Sequence, residues 1–136
     1  MPVINFTVKG DPRALRRHRT FRRGNFVGQY DPSSGDKADF LSLAHKHAPD
    51  KPIETPISLK ALFIFSRPKN HYRANGEVKP RFTDARPGLK DIDNIIKFLF
   101  DSLNKVFWRD DRLIYRVEAE KKYGDNPSTI ISVFWG

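Results

Sequence analysis

At 136 residues the chain is long enough for one packed core and too short for two. It has no cysteine, which removes disulfides, thiolate metal sites and a cysteine nucleophile, and its 38% hydrophobic content with eleven Phe argues against global disorder. The net charge of +9 asks for an anionic partner, nucleic acid first, while no apolar run reaches the roughly 18–20 residues of a membrane span and no basic amphipathic helix is evident.

Residues 3–8 alternate as a strand, with Ile4, Phe6 and Val8 on one face, and Gly10-Asp11-Pro12 ends it. This start lacks the basic and apolar regions of a signal peptide, which predicts a cytoplasmic protein. Six Arg fall within the eleven residues from 13 to 23, without an acid or a sustained period, so residues 13–29 read as a loop or short hairpin. Turn residues at 31–35 lead to a helix near 36–47, striped by Phe40, Leu41, Ala44 and Ala48 and stopped by Pro49. Residues 57–67 alternate and then turn apolar on both faces, as expected of a strand whose second half is covered on both sides. Residues 67–90 carry seven Lys or Arg against two acids and form a second basic loop. A helix follows from 93 to 105, then an alternating strand over 112–124. Asn126-Pro127 makes a turn, and residues 128–135 form a last strand predicted to pair with its predecessor as a hairpin. The order β-α-β-α-β-β gives a single α+β domain over residues 1–136, a small mixed sheet of about four strands packed with two helices. Its basic loops span 11–30 and 67–90.

Five aspartates lie between positions 91 and 111 of this basic chain. On a helical wheel Ile92, Ile95, Ile96, Leu99, Phe100, Leu103 and Val106 form the core stripe. Asp93, Asn94, Lys97, Asp101 and Asn104 stand opposite. Phe98 fits neither face and reads as an exposed apolar residue or a subunit contact. With Asp91 ending an extended segment and Asp93 starting the helix, both carboxylates reach one point, and Asp110 or Asp111 is placed to return to it. Clustered carboxylates repel unless a cation joins them, and an all-oxygen site with open positions suits Mg²⁺ or Mn²⁺. Lys97 beside the ion would offset charge developing on phosphorus. Plainer readings stand alongside. Asp93 alone is most simply a helix N-cap, Asp101 an i, i+4 partner of Lys97, and Asp110-Asp111 a solvated turn. The four His show no metal spacing and read as surface residues.

The combination Asp91-Ile92-Asp93-Asn94, Lys97, Asp101, Leu103-Asn104, Trp108 and Asp110-Asp111 resembles the RusA-type Holliday-junction resolvases. The resemblance extends to GDPRALRRHR, to Tyr30-Asp31-Pro32, to residues 65–72 and to residues 121–124. In many relatives a Pro precedes the first aspartate, where this chain has Lys90. The resemblance implies a bacterial or prophage-encoded homodimer with a RusA-like fold that uses Mg²⁺, or Mn²⁺ in its place. Such a dimer binds four-way DNA junctions and cuts two strands symmetrically, with no membrane partner and no small-molecule substrate. It implies Asp91, Asp93 and Asp111 as metal-binding catalytic residues, with Asp110 a possible further ligand, and Asn94 and Lys97 as supporting catalytic residues. Two other functions stay open: a nuclease for another branched DNA, such as a flap or fork, and a non-catalytic DNA-binding module.

The DNA-binding candidates are Arg13, Arg16, Arg17, Arg19, Arg22 and Arg23 in the first basic loop, with Lys69, Arg73, Lys79 and Arg81 in the second. Phe21 and Phe26, set among arginines, read either as core residues or as wedges for the easily unstacked centre of a junction.

Overall fold

A computed structural model describes residues 1–16 and 19–136, with Arg19 described through its backbone only. Strand β1 (Val3–Lys9) is followed by a hairpin of β2 (Arg19–Arg23) and β3 (Phe26–Tyr30) and by helix α1 (Ser34–Ala44). Then come β4 (Ile57–Phe65), α2 (Ile92–Leu103), β5 (Ile114–Tyr123) and β6 (Ser128–Trp135). The domain is α+β, with a four-stranded sheet in the order β1-β6-β4-β5 and the separate two-stranded sheet β2-β3.

Strand β4 lies between the last two strands, parallel to β5 and antiparallel to β6. The predicted β5–β6 hairpin therefore does not form. The β4-α2-β5 unit is a crossover connection, which lays β5 beside β4 as its parallel neighbour. Asn126-Pro127 then carries the chain across β4 to the far side, where β6 also pairs with β1.

Both helices cover one face of this sheet. Phe6, Val8, Leu59, Ala61, Phe63, Ile131 and Val133 point into the core from the strands, against Phe40 and Ala44 of α1 and Ile95, Leu99 and Leu103 of α2. Phe98 is also in the core, 2% exposed, with its ring edge-on to Phe40 at 5.7 Å. The expectation of an exposed residue or subunit contact is thus corrected. Because α1 packs beside α2, the buried arc turns towards Ile95, Phe98, Leu99, Ser102 and Leu103, leaving Ile92, Ile96 and Phe100 half-buried. After α2, Phe107 stacks on Phe6 at 5.2 Å and Trp108 is fully buried. Among the described residues, no helix covers the other sheet face. Leu62 and Ile64 remain half-exposed there, so β4 alternates to its end and is not covered on both sides.

Candidate active site

Two lysines fix the approach to α2. The Lys90 ammonium donates to the Pro12 carbonyl at 2.6 Å and stands 5.9 Å over the Phe65 ring. Lys121 of β5 donates to the Lys90 carbonyl at 2.7 Å. Asp91 therefore begins α2 at the end of the sheet where β4 and β5 finish. It takes the N-cap position with extended backbone (φ −70°, ψ 133°), and its carbonyl accepts from the Asn94 and Ile95 N–H groups at 3.1 Å, but its side chain caps nothing. Asp93 lies one residue inside the helix, so the N-cap reading of Asp93 is corrected. Both carboxylates are exposed and make no hydrogen bond or ion pair among the described residues. The positive end of the helix dipole lowers the cost of placing two acids there.

Lys97 is one turn further on and exposed, with no ion pair to Asp93 or Asp101 among the described residues. The Lys97–Asp101 pair suggested by their spacing is absent, in keeping with the few tenths of a kcal/mol (about 0.2–0.5) such a pair contributes. Asn94 is half-buried, and its carbonyl accepts from the Leu15 N–H at 3.2 Å, clipping the first arginine-rich segment to the first turn of α2.

Asp110 and Asp111 lie at the other end of the helix. Asp110 accepts from the Arg112 N–H at 2.9 Å and pairs with Arg112 Nε at 3.3 Å, capping the short turn Asp111–Leu113. That backbone hydrogen bond, outweighing partial desolvation, holds its carboxyl below the usual range, with the Arg112 charge helping. Asp111 moves the opposite way. Burial raises it first, and the negative charges of Asp110 and Asp101 add to the effect, partly offset by Lys105.

Helix α2 runs for 12 residues, which at 1.5 Å per residue separates its two ends by about 18 Å. Strand β5 gives a second ruler. Ile114, its first residue, pairs with the start of β4, whereas Lys121 reaches Asp91's neighbour at the opposite end. A divalent ion takes carboxylate oxygens at about 2.0–2.6 Å. Asp91 and Asp93 thus cannot share an ion with Asp111 of their own chain, and no group of three or more His, Asp or Glu among the described residues could hold one. The expectation that the chain comes back to the head of the helix is corrected for the single chain: the crossover returns it to the foot.

The basic residues differ in their availability. Arg13 is held by Asp36 and Asp39 at 3.5 and 3.6 Å, and Arg16 by Asp36 at 3.7 Å. Arg22 and Arg23 are exposed on the hairpin. Arg17 and the Arg19 side chain lie outside the described residues. Phe21 and Phe26 are 37% and 62% exposed, so the core alternative is ruled out for both. Around the second basic loop, Arg67 donates to the Phe82 carbonyl at 2.8 Å, and His71 stacks on Phe82 at 4.1 Å. His71 is buried, against the expectation of a surface residue. Lys69, Arg73 and Arg81 are exposed around this clasp, and Lys79 is half-buried.

Sequence reasoning gave no structural role to Lys90, Lys121, Arg67 or His71. Lys90 stands out only as a departure from the family pattern, and Lys121 as an ammonium between Ala119 and Tyr123 on the inward side of an alternating strand, an unusual place for one.

The site thus combines two exposed acids at the head of α2, unpaired among the described residues, with an arginine-rich segment clipped to its first turn, on a chain of net charge +9. The family model Endodeoxyribonuclease RusA matches residues 9–134, and the chain belongs to this family, which at its broadest comprises endonucleases acting on DNA junctions. The chain is also similar to the uncharacterized protein YqaN of Bacillus subtilis (strain 168), at 29% identity over 139 residues, covering 98% of this chain and 96% of that protein. No helix among the described residues is long and apolar enough to cross a membrane.

Proposed function

We propose that this protein is a Mg²⁺-dependent, structure-selective endonuclease that resolves four-way DNA junctions by paired, symmetric phosphodiester hydrolysis, acting as a homodimer. The observation that carries this reading is the pair Asp91 and Asp93, exposed and without partners among the described residues, in a family-matched domain of charge +9. The helix dipole favours acids at this position but leaves both carboxylates without a partner, and a divalent cation would join them. Asn94 and Lys97 support them, Lys97 as a cation beside charge developing on the phosphate. Arg22, Arg23 and the exposed part of the second basic loop hold the flanking backbone.

The homodimer has a geometric rationale beyond the need for two cuts. Since Asp111 stands at the wrong end of α2 within its own chain, its place in the metal site is filled by Asp111 of the partner subunit. In a two-fold assembly each contact occurs twice. The same symmetry then builds two composite sites, one for each cut.

The deciding experiment compares cleavage of a four-way junction, a fork, a flap and a linear duplex of matched sequence. Paired cuts on the junction, well ahead of the other substrates, are expected. A preference for fork or flap would reassign the substrate. Equal rates on linear duplex would end the structure-selective reading. Absence of metal-dependent nicking on all four would leave only a DNA-binding module.

A further inference from the structure

The exposed aromatic face of the β2–β3 hairpin has no part in the chemistry above and is not in the core. Register pairs Phe21 with Gly28 and Arg23 with Phe26, so Phe21, Arg23, Phe26, Gly28 and Tyr30 share one face. On it Phe21 lies 5.8 Å from Phe26 and 6.4 Å from Tyr30, ring to ring. Phe26 is 62% exposed and Tyr30 46%. Gly28 is required for this surface, since a Cβ there would stand 2.6 Å from the Phe21 ring. Gly24, at φ 57°, occupies the first central position of the two-residue turn, where a tight hairpin turn calls for glycine.

Both feet of the hairpin are tied near the carboxylates. Leu15 bonds to Asn94 in the first turn of α2, and the Arg16 N–H donates to Ser33 Oγ at 2.8 Å beyond the other strand. Three residues separate Leu15 from the start of β2, four steps that span at most about 14 Å of chain. Rings in tilted contact, bordered by an exposed arginine, suit the flat face of a nucleobase more than a protein core, and stacking is open to bases that have left their pairs.

We infer that the Phe21–Phe26–Tyr30 face is a stacking platform for nucleobases unpaired at the DNA branch point, and hence a determinant of selectivity for branched over linear DNA. The inference rests on the proposed function and deepens it.

The test uses the full-length protein without divalent cation, so that DNA binds uncut. A junction carries 5-iododeoxyuridine either at the branch point or mid-arm. Photocrosslinking to Phe21, Phe26 or Tyr30 is expected from the branch position only. Phe26→Ala should weaken junction binding about tenfold, leave duplex binding unchanged and keep a wild-type circular dichroism spectrum; Val27→Ala, on the opposite face, should leave both kinds of binding unchanged. Equal crosslinking from both positions, or a Phe26→Ala variant that discriminates as well as wild type, overturns the platform. Conversion of the Phe26→Ala protein to a monomer also overturns it, by showing the face to be a subunit contact. Wild-type protein that ignores branched DNA altogether would instead overturn the proposed function.

Discussion

A pair of inactive variants tests the composite site. Asp91→Asn and Asp111→Asn should each abolish cleavage as homodimers, because every site then lacks one carboxylate. Asp91 heads the 12-residue helix α2, about 18 Å long, while Asp111 lies in the turn before β5 on the side of the helix foot, beyond what one cation can bridge. If the partner supplies Asp111, a heterodimer of the two variants concentrates both losses in one site and leaves the other intact. Random exchange of equal amounts makes half of the dimers mixed, with one working site in two, and so restores about a quarter of the wild-type sites. Heterodimers isolated through two different affinity tags should nick one junction strand per binding event and fail to make the paired cut. A titration with Mn²⁺ followed by electron paramagnetic resonance gives a readout apart from activity: one tightly bound ion per heterodimer, two per wild-type dimer and none in either mutant homodimer. Mixed dimers that neither nick nor bind Mn²⁺, while wild type does both, would refute completion by the partner. Full activity of either single variant would refute that residue's assignment.

Three further outcomes follow from the structure. Phe98→Ala removes a ring that is 2% exposed and packed on Phe40; it should cost roughly 4 kcal/mol, lowering Tm by about 14 °C in a thermal melt, whereas a surface residue would give almost no change. Burial foremost, with the charges of Arg67 and Lys79, holds the His71 imidazole below its usual pKa. The unfolded chain therefore binds a proton on His71 before the folded one does, and stability should fall as pH drops below about 6.5; melts of wild type and His71→Phe between pH 7.5 and 5 should diverge in that direction. Arg22→Ala combined with Arg23→Ala should weaken all DNA binding and flatten its dependence on salt by about 0.9 in log–log slope for each phosphate no longer neutralised, which fluorescence anisotropy at several salt concentrations will measure.

The sequence carried the elements of the fold better than their arrangement. Alternation and helical periodicity marked every strand of the main sheet and both helices, because burial on one face writes itself into the local pattern. Strand order left no such mark, and β5 took the place beside β4 that the pattern could not assign to it. The place of Phe98 is hidden for a related reason: a helical wheel alone points to the isoleucines, whereas α1 packs beside α2 and draws Phe98 in against Phe40. In the site, the spacing of Asp91 and Asp93 at the start of a helix was legible because it is local. The separation of Asp111 from them was not, since it depends on the crossover. Nor was the role of Lys121, whose meaning comes from a carbonyl 31 residues away.

Metal-dependent junction cleavage is tested most directly by one gel of a labelled four-way junction, incubated with wild-type protein or Asp93→Asn, with and without Mg²⁺. Wild type should give paired symmetric cuts only when Mg²⁺ is present, and Asp93→Asn should give none while still shifting the junction in a binding assay. Cuts that persist without a divalent cation, or that Asp93→Asn makes as well as wild type, would contradict it.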